Sequence, residues 1–189
     1  MVNQLTPEER QILLKLARQA LEAGVRGQIL SVLDPGSLSE RLCQQGASFV
    51  TLTRRGELRG CVGTLEAYQS LAEDVREHAV AAALQDYRFP PVQPQELPEI
   101  KIEISCLTAP QDLDYAQPGD LPRILRPHVD GVTLFDGRRR ATFLPQVWEK
   151  LPDPDDFLSH LCQKMGASPD LWCLRKLSVQ TYQVEEFSE

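Results

Sequence analysis

Between residues 100 and 106 the chain alternates strictly, with Ile100, Ile102, Ile104 and Cys106 set against Lys101, Glu103 and Ser105. Side chains along a strand point to opposite faces, so this pattern demands a β-strand with one buried and one polar face. A strand in a parallel sheet covered on both sides would read as a continuous apolar run instead. Other segments agree. Ser48 to Thr53 reads as a strand, and Arg54-Arg55-Gly56-Glu57 offers a turn into a second strand ending near Cys61. Val132-Thr133-Leu134-Phe135, Asp136-Gly137 and Arg138 to Leu144 spell a hairpin, and Leu177 to Phe187 is again strand-like.

Three helical patterns interrupt these strands. Thr6-Pro7-Glu8-Glu9 is a capping box with proline at the first helical position, followed by a stripe of Leu13, Leu16, Ala17, Ala20 and Leu21, with Gly24 as the stop. Ser70-Leu71-Ala72-Glu73 is a second capping box, opening a helix whose apolar stripe is Leu71, Ala72, Val75, Ala79, Ala82 and Ala83. Alanines on that stripe imply close packing against a sheet. Asp153-Pro154-Asp155-Asp156 starts a third helix carrying Phe157, Leu158, Leu161 and Met165, closed by Gly166. Proline-rich stretches at 88–98 and 110–127 keep large apolar residues and read as ordered crossings. With no βαβ alternation, the expected class is α+β: mostly antiparallel sheet flanked by helices, with a smaller second lobe. The 189 residues suit a single domain over 1–189, open to division into two lobes.

Twenty basic against twenty-seven acidic residues leave a net charge of −7, which repels phosphate backbones. Arg138-Arg139-Arg140 with Arg54 and Arg55 would make a basic face only if two hairpin ends met. No aromatics accompany them, so hairpin solubility and edge protection explain them better than nucleic acid does. No apolar run approaches the roughly 20 residues of a membrane span, and Met1-Val2-Asn3-Gln4-Leu5 shows no secretory signal. Five scattered cysteines, at 43, 61, 106, 162 and 173, fit free thiols in a reducing cytoplasm. No metal-ligand spacing is present, and the sequence assigns no identity to any cofactor.

The chemistry-bearing stretch is Leu58-Arg59-Gly60-Cys61-Val62-Gly63-Thr64. A thiol between two glycines, with an arginine two residues before it on a strand, admits two readings. In one, Arg59 favours the Cys61 thiolate, and the Gly60 and Gly63 amides form an anion-holding nest. In the other, Cys61 is a small hydrophobe and Arg59 pairs with a carboxylate. A nucleophilic cysteine needs a base. Among His78, His128 and His160, His128 is the best placed, before the Asp130-Gly131 turn. Asp86 and Arg88, in the rigid corner Asp86-Tyr87-Arg88-Phe89-Pro90, admit two readings: they line the same cleft as Cys61, because the helix between them returns the chain, or they are a structural ion pair closing the corner.

The chain resembles the AMMECR family. Leu58-Arg59-Gly60-Cys61-Val62-Gly63 is similar to that family's signature, with valine where isoleucine is common, and Asp86-Tyr87-Arg88-Phe89-Pro90 to its second block. Glu103-Ile104-Ser105-Cys106-Leu107, Gly131-Val132, Thr142-Phe143-Leu144-Pro145-Gln146-Val147, Phe157-Leu158 and Lys164-Met165-Gly166 follow in the family's order. The resemblance implies an α+β fold of a larger and a smaller lobe, with the signature at a cleft for binding or catalysis. It also implies Memo-like and radical-SAM companion proteins as partners. Two functions follow as expectations. One is a cytoplasmic accessory protein that binds a partner or a small-molecule or peptide ligand through Leu58, Gly60, Val62, Gly63, Thr64, Asp86 and Arg88. The other is a cysteine-dependent enzyme of group transfer or hydrolysis, using Cys61 with Arg59 and His128. A nucleic-acid regulator rests on the arginines alone.

Overall fold

The computed structural model describes residues 4–189; the reading of Met1-Val2-Asn3 as free of a secretory signal lies outside them. The chain forms two compact units, one running to Thr108 and regaining Glu185–Glu189, the other spanning Ala109–Val184. The fold is α+β, with antiparallel strands flanked by helices.

The first unit opens with α1 (Pro7–Val25), where Thr6 and Glu9 close the capping box as expected. Gly24 does not stop this helix. It lies inside α1, where an added Cβ would come within 3.0 Å of Val80; the left-handed residue is Gly27, at φ 68°. The glycine that stops the helix is the one that supplies the reversed backbone.

A short α2 (Glu40–Cys43) leads to β1 (Gln45–Arg54), and a two-residue turn at Arg55 and Gly56, both with positive φ, leads to β2 (Glu57–Gly63). Such turns match the right-handed twist of paired strands. After β3 (Gln69–Ser70) comes α3 (Leu71–Leu84). Ser70 caps α3 through the Glu73 N–H, but the Glu73 carboxylate turns to Arg76, so only half of the expected box forms. β4 (Ile100–Leu107) pairs antiparallel with β1 over its whole length. Ile102 and Ile104 join Val50, Leu52 and the inward stripes of α1 and α3 in one core.

In the second unit, β5 (Gln111–Asp112) precedes α4 (Leu121–Ile124), and the hairpin is β6 (Gly131–Asp136) with β7 (Arg139–Phe143). α5 (Pro154–Lys164) ends at Gly166, as its sequence predicts, and is followed by the single turn α6 (Leu171–Leu174) and β8 (Ser178–Tyr182). The sheet order is β5-β8-β6-β7. Its core centres on Trp148, stacked on Phe157 at 3.7 Å, with the indole N–H donating to the Asp130 carbonyl at 2.7 Å. The tail read as one strand-like stretch divides: β8 stays in this sheet, while β9 (Val184–Ser188) joins the first unit, giving the order β2-β1-β4-β9 with β3 alongside β1.

Candidate functional site

Leu58 to Gly63 lie on β2, the edge strand next to β1. Leu58 is exposed, Val62 packs against the core, and Thr64, just past the strand, donates its N–H to the Ser48 carbonyl at 3.0 Å. The two glycines serve packing. A Cβ on Gly60 would overlap the Ala82 carbonyl oxygen of α3, and one on Gly63 would overlap the Phe49 ring and the Ser48 carbonyl. Neither glycine has positive φ, and both belong to an extended strand. An anion nest needs successive amides turned inward by alternating helical conformations, so the expected nest does not form.

Arg59 is also not the partner of Cys61. The pairing places Gly60 opposite Leu52 and Leu58 opposite Thr53, which leaves Arg59 as the extra residue of a bulge. A bulge re-aims its side chain, breaking the alternation that would set residues 59 and 61 on one face. The Arg59 guanidinium instead forks onto Glu96, Nε at 2.9 Å and Nη2 at 3.0 Å, and donates to the Pro90 carbonyl at 2.9 Å. Glu96 also receives Arg54 at 3.0 Å and the Gln93 N–H at 2.8 Å. These contacts, Arg59 first, hold the Glu96 carboxyl down at about 2. Arg54 and Arg55 both reach Glu99, and Arg139 pairs with Asp136, so these arginines are engaged within their own units.

Cys61 is half-buried and lies opposite Thr51, whose hydroxyl is 3.3 Å from the sulfur. Its main chain is gripped from the outer side of the edge. The Cys61 N–H donates to Asp86 Oδ2 at 2.8 Å, and Arg88 Nη2 donates to the Cys61 carbonyl at 3.3 Å. Arg88 also binds Asp86 through Nε at 2.9 Å, Nη2 at 2.6 Å and its own N–H at 3.1 Å. Asp86 is buried, and Arg88 foremost holds its carboxyl well below the ordinary aspartate range. Of the two readings of this corner, the structure shows the ion pair: Asp86 and Arg88 pair with each other, and the pair bonds to the Cys61 main chain. Between them Tyr87 is 96% exposed.

His128 belongs to the second unit, where it is exposed in a turn at φ 64°. His160 is exposed and bonded to the Asp156 carbonyl. His78 is buried: its Nδ1 lies 3.1 Å from Asp74 Oδ2, which accepts the Ser48 hydroxyl at 2.6 Å. The carboxylate stands between serine and histidine, so His78 does not take a proton from Ser48 as in a catalytic triad. Sequence reading passed over Ser48, Asp74 and Glu96. Asp74 and His78, four residues apart on an otherwise alanine-rich helix, were the available signal. Among the described residues no three His, Cys, Asp or Glu side chains gather as metal ligands, and no helix is long and apolar enough to cross a membrane.

Residues 14–187 match the AMMECR1 family model. A protein of Methanothermobacter thermautotrophicus is 38% identical over 186 residues, covering 98% of this chain and 96% of that one. A protein of Methanopyrus kandleri is 35% identical, covering 100% and 92% respectively. The crystal structure of uncharacterized protein PH0010 from Pyrococcus horikoshii superposes with a TM-score of 0.79 at 31% identity, over 98% of this chain and 93% of its own. With family model, sequence relatives and solved fold all covering nearly its full length, the chain belongs to the AMMECR1 family.

Proposed function

We propose that this chain is a cytoplasmic accessory protein that docks a protein partner at the Asp86-Tyr87-Arg88 corner beside the Leu58–Thr64 strand. The observation that carries this reading is the full exposure of Tyr87 between two residues locked onto Cys61. A tyrosine on a rigid corner offers large contact area with little ordering cost, and tyrosine and arginine dominate interface hot spots. The polar groups around Cys61 support the same reading, because Arg59 and Asp86 are occupied in holding the strand. Memo-like and radical-SAM proteins are the partners that the family resemblance supplies. The cytoplasmic placement rests on five free thiols.

The test is titration of purified Memo-like and radical-SAM proteins from the same organism onto the native chain and Tyr87→Ala. Saturable binding that weakens about tenfold or more in Tyr87→Ala supports docking at this corner. Binding indifferent to Tyr87, or no binding, overturns it. A second reading keeps Cys61 as the nucleophile of a group-transfer or hydrolytic enzyme, favoured by its half-exposed thiol. Turnover of a substrate that survives in Cys61→Ala would end that reading.

A further inference from the structure

In the second unit two thiols converge on the start of α6. Cys162, on α5, is fully buried in the core with Trp172, and its sulfur accepts the Trp172 backbone N–H. Cys173, the next residue, is exposed, and its thiol donates to the Asp170 carbonyl at 3.0 Å. Both sulfurs thus contact the Asp170–Trp172 end of the same turn. Burial raises the Cys162 thiol most, and Cys173 and Asp170 push it further the same way, as close neighbours do. α6 itself is a single turn: Leu171 and Trp172 pack into the second core, with Trp172 anchored on Ser159, while Cys173 and Leu174, which is 69% exposed, face outward.

We infer that Cys162 and Cys173 are a redox pair that closes to a disulfide when the protein meets hydrogen peroxide. The exposed Cys173 sulfur attacks one peroxide oxygen, the O–O bond breaks, and water leaves, giving the sulfenic acid. The Cys162 sulfur then attacks the Cys173 sulfur, the S–O bond breaks, and a second water leaves. Two thiol hydrogens and two electrons pass to one peroxide, which is reduced to two waters. A dithiol reductant reverses the bond. The other three thiols fit less well: Cys106 is buried and pushed up to about 12, and Cys43 and Cys61 belong to the first unit.

The full chain, treated with hydrogen peroxide, is unfolded in alkylating agent and mapped by mass spectrometry. The expected product is a linked Cys162–Cys173 peptide, lighter by two hydrogens, that dithiothreitol removes and that is absent from Cys173→Ser. Circular dichroism of Cys173→Ser, altered at an exposed site, checks that its fold is intact. If Cys173 runs on to sulfinic acid, or links two chains, while Cys162 is recovered as a free thiol, the inference fails.

Discussion

The Cys61 N–H is bonded to the carboxylate of Asp86 at 2.8 Å, although 25 residues and a whole helix separate them in sequence. Asp86 and Arg88 thereby present to the β2 edge the acceptor and donor that a neighbouring strand would present. Unpaired edges invite association with other chains, and this side-chain pair blunts the edge at its centre. Asp86→Ala leaves the half-buried Cys61 N–H and the Arg88 guanidinium without their acceptor. The expected loss is about 2 kcal/mol in urea unfolding, with a rise in self-association visible by light scattering. An unchanged midpoint would show that the Asp86–Arg88 pair does not hold the β2 edge.

Acid should release the network around Arg59. The folded-state value of Glu96 is about 2, below its ordinary 4.5, chiefly through Arg59. Its stabilisation is complete above the unfolded-state value and is lost as pH falls from about 4.5 toward 2. Asp86, depressed chiefly by Arg88, acts in the same direction. Glu96→Gln is expected to be less stable than the native chain at neutral pH and to show a flatter decline across that window in pH-dependent denaturation.

Gly60→Ala tests the contact with α3. Its methyl group has nowhere to go, because the obstacle is the Ala82 backbone carbonyl rather than a movable side chain. Overpacking of this kind costs about 3 kcal/mol or more, and a folded Gly60→Ala protein with a native melting temperature would contradict the geometry.

Arg59→Ala is expected to leave the rate of Cys61 alkylation unaltered, since its guanidinium lies on Glu96. The same variant should lose about 1–2 kcal/mol through that severed, largely buried pair. A rate of Cys61 labelling that falls tenfold would show that Arg59 acts on the thiol after all.

Asp74→Ala strands the Ser48 hydroxyl and the His78 ring inside the first core. A loss of about 3 kcal/mol is expected, read by thermal or urea unfolding. Ser48→Ala adds little on top of it, because both substitutions break one network.

Alternation and capping were local enough to read directly. Ile100, Ile102 and Ile104 could satisfy one buried face only as a strand, and Thr6 with Glu9 could only begin a helix. The glycines around Cys61 marked a close approach, but composition could not say whether to a ligand or to Ala82. The tail after Leu177 carried strand propensity without any sign that Tyr182 and Phe187 belong to different sheets.

The sequence by itself determined the three long helices and the principal strands, the α+β class, and the family through ordered motif blocks. Those properties follow from periods of 2 and 3.6 residues and from caps, all set within a few positions. Only the tertiary structure decided what Arg59 and Asp86 do. A bulge opposite Leu52 and Thr53 turned Arg59 to Glu96, and the return of the chain after α3 carried Asp86 to the Cys61 amide. Partners 37 and 25 residues away are chosen by strand register and helix packing, which no local spacing encodes.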